Sequence, residues 1–173
     1  MPVTRPLFTI DHSLLTPMVP NAFKVLRILH TALFCSMLLF AGVCLFIVLT
    51  HTTVADESFD RTMQLVCILL SFASILIGFR IFKKKILAAR NSTAPAADRM
   101  VQYRSACIVW WAMIEGPGLL AGIGFLVTAN YAFFALVVVH VLILGLFTPR
   151  KSNIVVLLNL NAAEVKQLEG TFS

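Results

Sequence analysis

The stretch that decides the fold is residues 28–50, ILHTALFCSMLLFAGVCLFIVLT, an apolar run without one charged side chain. Wound as a helix rising 1.5 Å per residue it is about 35 Å long, enough to cross a hydrocarbon core roughly 30 Å thick. Lipid offers nothing to pair with open backbone groups, so such a run is read as a helix. Runs at 63–82, 105–128 and 131–147 repeat the pattern. The 173 residues are 59% hydrophobic and 13% charged, with a mean hydropathy of +0.90, too few polar groups to clothe a water-soluble globule. The expected fold is all-α: an integral membrane four-helix bundle with short amphipathic cytoplasmic C-terminal helices.

Working outward, residues 1–23 are broken by Pro2, Pro6, Pro17 and Pro20 and read as an interfacial segment on the cytoplasmic side. Asp11 and His12 are neighbours there, but adjacent residues rarely face one site. Residues 24–147 form the four-span membrane domain. The first run exceeds the 7–15 residues of a signal-peptide core, so cleavage is not expected. Residues 91–98, NSTAPAAD, are the one low-complexity linker, and Thr93 with Pro95 behind it resembles a helix start. The third span is then the inner part of one long helix. Residues 148–173 are a cytoplasmic amphipathic tail of two short helices, with Thr148 before Pro149 as one cap and Asn161 with Glu164 as a capping box.

Orientation follows from the basic residues, which are retained on the cytoplasmic side. Thirteen of the fourteen fall on one side: Arg5, Lys24 and Arg27; Arg80, Lys83, Lys84, Lys85, Arg90, Arg99 and Arg104; Arg150, Lys151 and Lys166. Both termini are expected in the cytoplasm. Lys83, Lys84, Lys85, Arg150 and Lys151 are the basic residues expected to face anionic lipid head groups. No aromatic interleaving accompanies them, so nucleic acid is discounted as a partner.

Within the third span, IVWWAMIEGPGLLAGIGFLVTAN places Glu115 in the middle of an apolar run. A charge at mid-membrane costs about 2.5–3.5 kcal/mol, so such an acid faces protein or water and is neutral, paired or hydrated. Helical spacing puts Trp111, Gly118 and Gly122 on its face. Gly118 and Gly122 form a small-xxx-small pair for close helix packing, and Pro117 removes a backbone donor beside them. Counting back across the turn at Asn130, His140 falls at a depth similar to that of Glu115. The two are a candidate proton or ion site, or a lock between helices. A pocket lined by Trp110, Trp111 and Glu115 is a third reading. His30 and Gln64 are interfacial by position. Cys35, Cys44, Cys67 and Cys107 lack metal-site or dithiol spacing. No cluster is spaced to activate a nucleophile, so no enzyme activity, metal or cofactor is expected.

Two resemblances are carried by these residues. MIEGPGLLAGIGFLV resembles the carboxylate-bearing helix of rotary ATPase c-type proteolipid subunits, over one helix only. Residues 95–169, with YRSACIVWWAMIEGPGLLAGIGFLVTAN and FTPRKSNIVVLLNLNAAEVKQL, resemble a group of small uncharacterised membrane proteins of Bacteroidota-type bacteria. That resemblance implies four helices and a bacterial inner-membrane address. The expected function is a structural component or accessory subunit of a membrane assembly, with the lipid bilayer and a homo-oligomer or larger complex as partners. The alternative is a small proton or cation channel or transporter using Glu115 with His140.

Overall fold

The computed structural model describes residues 21–50 and 57–170, and every element in them is helical. Six helices follow in order: α1 (Ala22–Thr50), α2 (Glu57–Asn91), α3 (Ala96–Thr128), α4 (Tyr131–Leu146), α5 (Lys151–Leu158) and α6 (Ala162–Glu169). Residues 1–20, including Asp11 and His12, lie outside the described part.

α1, α2 and α3 are each long and apolar enough to cross a membrane. α4 has 16 residues and is followed, after a 71° bend, by α5. Pro149 accounts for the break, since it lacks a donor and disfavours helix at Thr148 before it. Thr148 does not cap α5, as its spacing suggested; its hydroxyl donates back to the Gly145 carbonyl at 2.6 Å, and Arg150 stands at the N-cap without a side-chain cap bond. Nor does Thr93 cap α3, which begins after Pro95 with no side-chain cap. The linker shrinks to four residues, because α2 runs on through the lysines to Asn91 and α3 already begins at Ala96. Asparagines do cap three helices. Asn21 accepts from the Lys24 N–H, Asn130 from the Ala132 N–H and Asn161 from the Glu164 N–H, the last within a complete capping box.

α3 is the central element, packed along α2, α4 and α1. Half of its most apolar window is buried, against 17% for α1 and for α2. Their outer faces expose large apolar side chains, such as Leu39, Phe46, Leu49 and Phe72, a surface suited to lipid and costly in water. The α2–α3 seam is lined on α2 by Cys67, Ser71, Ser74 and Gly78, buried small residues at helical spacing. They let the backbones approach: a Cβ at Gly78 would stand 2.9 Å from Met113 Cβ and 3.0 Å from the Trp110 ring. Met37, Ala41 and Cys44 form the buried edge of α1.

Apart from Arg61, the described basic residues gather at one end of the bundle. There α5 packs on α2, and α6 packs on α1 and α3. Ile154, Leu158 and Leu160 are buried, so the tail is part of the core. Arg99 of α3 is buried and fastens it: one guanidinium nitrogen donates to the Leu158 carbonyl at 2.9 Å and another pairs with Glu164. It thereby meets a carbonyl left open at the end of α5 and the carboxylate that caps α6. At the opposite end the Asn130 amide donates to Asp60 at 2.8 Å, tying the α3–α4 turn to the start of α2.

Candidate functional site

The site is built on the middle of α3, which runs as one helix through Pro117. Gly118 and Gly122 are buried and face different neighbours. A Cβ on Gly118 would stand 2.2 Å from Met37 Cε and 3.0 Å from His140 Cβ, and one on Gly122 would stand 2.3 Å from Phe40 Cε1. Glycine at these two positions thus permits α1 and α4 to lie against α3. Gly124 does the same for Phe133 beyond the turn, at 2.8 Å.

Glu115 lies at the margin of that face. Trp111, Gly118 and Gly122 beside it are buried, while Ala112, Gly116 and Ile123 on its other side are exposed. The carboxylate is half-buried and has no hydrogen bond or ion pair among the described residues. His140 is fully buried. Its Nδ1–H donates to the Leu136 carbonyl of its own helix at 2.8 Å. In the neutral ring that leaves Nε2 as an acceptor, and this buried nitrogen has no partner. The structure therefore brings His140 against Gly118, one turn from Glu115, without a hydrogen bond between the two ionisable side chains.

Trp110 and Trp111 both line a cavity of about 440 Å³ toward the basic end, and Glu115 is not part of its wall. Trp110 stands in an aromatic cluster with Phe79, Phe82 and Phe147 at centroid distances of 5.8, 6.0 and 5.1 Å. Trp111 turns toward His30, whose ring is 5.1 Å away, edge to face. His30 is not left exposed to solvent. It is buried, and its Nε2–H donates to the Leu144 carbonyl at 3.0 Å, one of the open carbonyls at the end of α4. Among the basic residues, Lys151 pairs with Glu169, while Lys83, Lys84, Lys85 and Arg150 are exposed and have no ion pair among the described residues. The four cysteines are free, and no group of His, Cys, Asp and Glu able to hold a metal occurs among the described residues.

Several of these features escaped the sequence reading. Arg99 counted there only as one more cation of the topology signal. The α2 stripe was legible as Cys67, Ser71, Ser74 and Gly78 at i, i+4, i+7 and i+11. Phe79, Phe82 and Phe147 carry no signal that separates them from lipid-facing phenylalanines. No family model, curated protein or solved structure matches this chain.

Proposed function

We propose that the chain is a four-span protein of a bacterial inner membrane, with both ends in the cytoplasm, and a non-enzymatic structural or accessory subunit of a membrane assembly. In this reading α4 is the fourth span and α5 turns along the cytoplasmic boundary. The basic end of the bundle, which holds Lys24, Arg27, Lys83, Lys84, Lys85 and Arg150, supports that orientation.

One observation carries the assembly reading: Glu115, midway along α3, is half-buried at the edge of the bundle and has no partner among the described residues. A carboxyl left so at mid-membrane costs about 2.5–3.5 kcal/mol. A donor from another chain, a second copy or a different subunit, relieves that cost and ties the partners at one register.

The test is the protein mass per particle, with polymer and lipid subtracted, after extraction from membranes in a polymer that retains native lipid. The native protein is expected well above the 19.1 kDa of one chain, and Glu115→Leu is expected to fall toward the monomer while Glu115→Gln, still a hydrogen-bonding group, retains the assembly. A monomeric native particle sinks the reading. The buried, unpartnered Nε2 of His140 favours a second reading, a proton or cation path through Glu115 and His140. Proton flux in proteoliposomes that disappears in Glu115→Gln would support that path instead.

A further inference from the structure

The cavity of about 440 Å³ inside the α4–α5 elbow has a composition that none of the packing explains. Its volume lies in the range of small-molecule sites, about 300–1,000 Å³. Phe79, Phe82, Trp110 and Phe147 make an apolar aromatic wall, and Lys83 of α2 and Arg150 at the start of α5 stand at its rim. No acid lines it. Glu164 and Glu169 of the tail are engaged with Arg99 and Lys151, and neither Lys83 nor Arg150 has an ion pair among the described residues.

Two further groups are unpartnered. The first turn of α5, to which the lining residue Asn153 belongs, has no side-chain cap, so its N–H groups face outward with the positive end of the helix dipole. Independently, the Trp110 indole N–H is buried and makes no hydrogen bond, although the residue is only 2% exposed. A buried donor without an acceptor is costly unless something supplies one. An aromatic chamber, an open donor and an anion-attracting rim together match a molecule with an apolar chain, ester carbonyls and a negatively charged head.

We propose that this cavity binds an acidic phospholipid from the leaflet at the basic end, with its phosphate at Lys83, Arg150 and the α5 N-terminus and an acyl chain against Trp110 and the phenylalanines. Basic pockets between spanning helices hold acidic lipid heads in this manner. The inference rests on the four-span reading for the depth of the cavity, and is independent of what Glu115 does.

Trp110 and Trp111 are the only tryptophans, so quenching of the protein's emission by lipids brominated on the acyl chain reads occupancy of the cavity. The full chain is reconstituted in vesicles of zwitterionic phosphatidylcholine with brominated phosphatidylglycerol or brominated phosphatidylcholine as the minor lipid. Acidic lipid is expected to quench at far lower mole fraction. Each rim cation contributes roughly fivefold and the pair about thirtyfold. Lys83→Gln with Arg150→Gln is expected to abolish that preference, whereas Lys84→Gln with Lys166→Gln, an equal loss of charge away from the cavity, is expected to keep it. Glycerol phosphate, a head without a chain, is expected not to compete.

Equal quenching by the two lipids, or equal loss of preference in both double variants, overturns the proposal, and competition by glycerol phosphate replaces it with a soluble-anion site. Vesicle flotation on the same samples separates the two levels. Protein that fails to float refutes the four-span reading, and protein that floats without lipid preference refutes the site alone.

Discussion

Replacing Gly118 by alanine tests whether the middle of α3 is packed as closely as the structure has it. The added methyl would stand 2.2 Å from Met37 Cε and 3.0 and 3.3 Å from His140 Cβ and Cγ. The methionine tip can swing aside. His140 cannot easily follow, because it is fully buried and tied through Nδ1–H to the Leu136 carbonyl. Overpacking of this kind costs about 1–3 kcal/mol, while exchanging glycine for alanine in a helix gains about 1 kcal/mol. The two effects oppose each other, so Gly118→Ala alone is ambiguous. Gly116 resolves this: it lies two residues away in the same helix, and a Cβ there would meet nothing within 4 Å. Gly116→Ala therefore reports the backbone gain without the clash. The difference between the two variants is expected to be about 1–3 kcal/mol, with Gly118→Ala the less stable. Unfolding in mixed micelles of rising dodecyl sulfate fraction, followed by the emission of buried Trp110 and Trp111, measures it. Met37→Ala should also cost less in the Gly118→Ala background than in the native chain, since it removes the nearest obstacle. Equal stability of the two alanine variants, within about 0.5 kcal/mol, would refute the close approach of α1 and α4 to α3.

The tail should loosen in acid. Glu164 has its carboxyl held below its ordinary value of 4.5 by the Asn161 N–H first and then by Arg99; a group depressed in the folded state contributes stability that is complete above its unfolded value and is lost as pH falls through the lowered one, so hydrogen exchange in α6 should show a rising opening equilibrium as pH drops below about 4.5, and Glu164→Gln should remove that pH dependence. A dependence unchanged in Glu164→Gln contradicts the assignment. At the α3–α4 turn, Ala129 sits in the left-handed region with φ 55°, a conformation that costs a non-glycine residue about 1 kcal/mol; Ala129→Gly is expected to raise stability by up to about that amount in the same micelle titration, and a loss of stability would contradict it.

The long apolar helices were legible because residues that face lipid must be apolar over a fixed length, and residues 28–50, 63–82 and 105–128 each fall inside a longer helix, α1 and α3 ending where the runs end and starting earlier. The extra length of α3 was expected from the helix start near Pro95; that of α2 was harder to see. Lys83, Lys84 and Lys85 look like the end of a span, but nothing in them breaks a helix, and α2 continues to Asn91. Around Thr148 a cap was expected and an elbow found, because Pro149 can open a helix or end one, and the choice rests on how Phe147 packs against Phe79, Phe82 and Trp110. His30 was read as interfacial from its position alone; its partner is a carbonyl 114 residues away. The Asn161 and Glu164 capping box involves residues three apart, and it was legible for that reason. Contacts set by local chemistry can be read from spacing, whereas those set by the meeting of distant elements cannot.

That distinction also explains why α3 carries the unusual residues. α1 and α2 turn most of their apolar surface outward, so their sequences are dominated by exposed apolar residues and leave little room for polar groups. α3 is enclosed by its neighbours over half of its most apolar window, and there a glycine, an indole N–H or a guanidinium is tested against protein atoms. Arg99 finds the Leu158 carbonyl and Glu164; Gly118 and Gly122 find Met37, His140 and Phe40. Glu115 and the Trp110 indole find nothing among the described residues. These are the two groups that the proposals above take up, the carboxyl for a second protein chain and the indole for a lipid in the elbow. Substituting one should leave the behaviour of the other intact, because the cavity wall does not include Glu115.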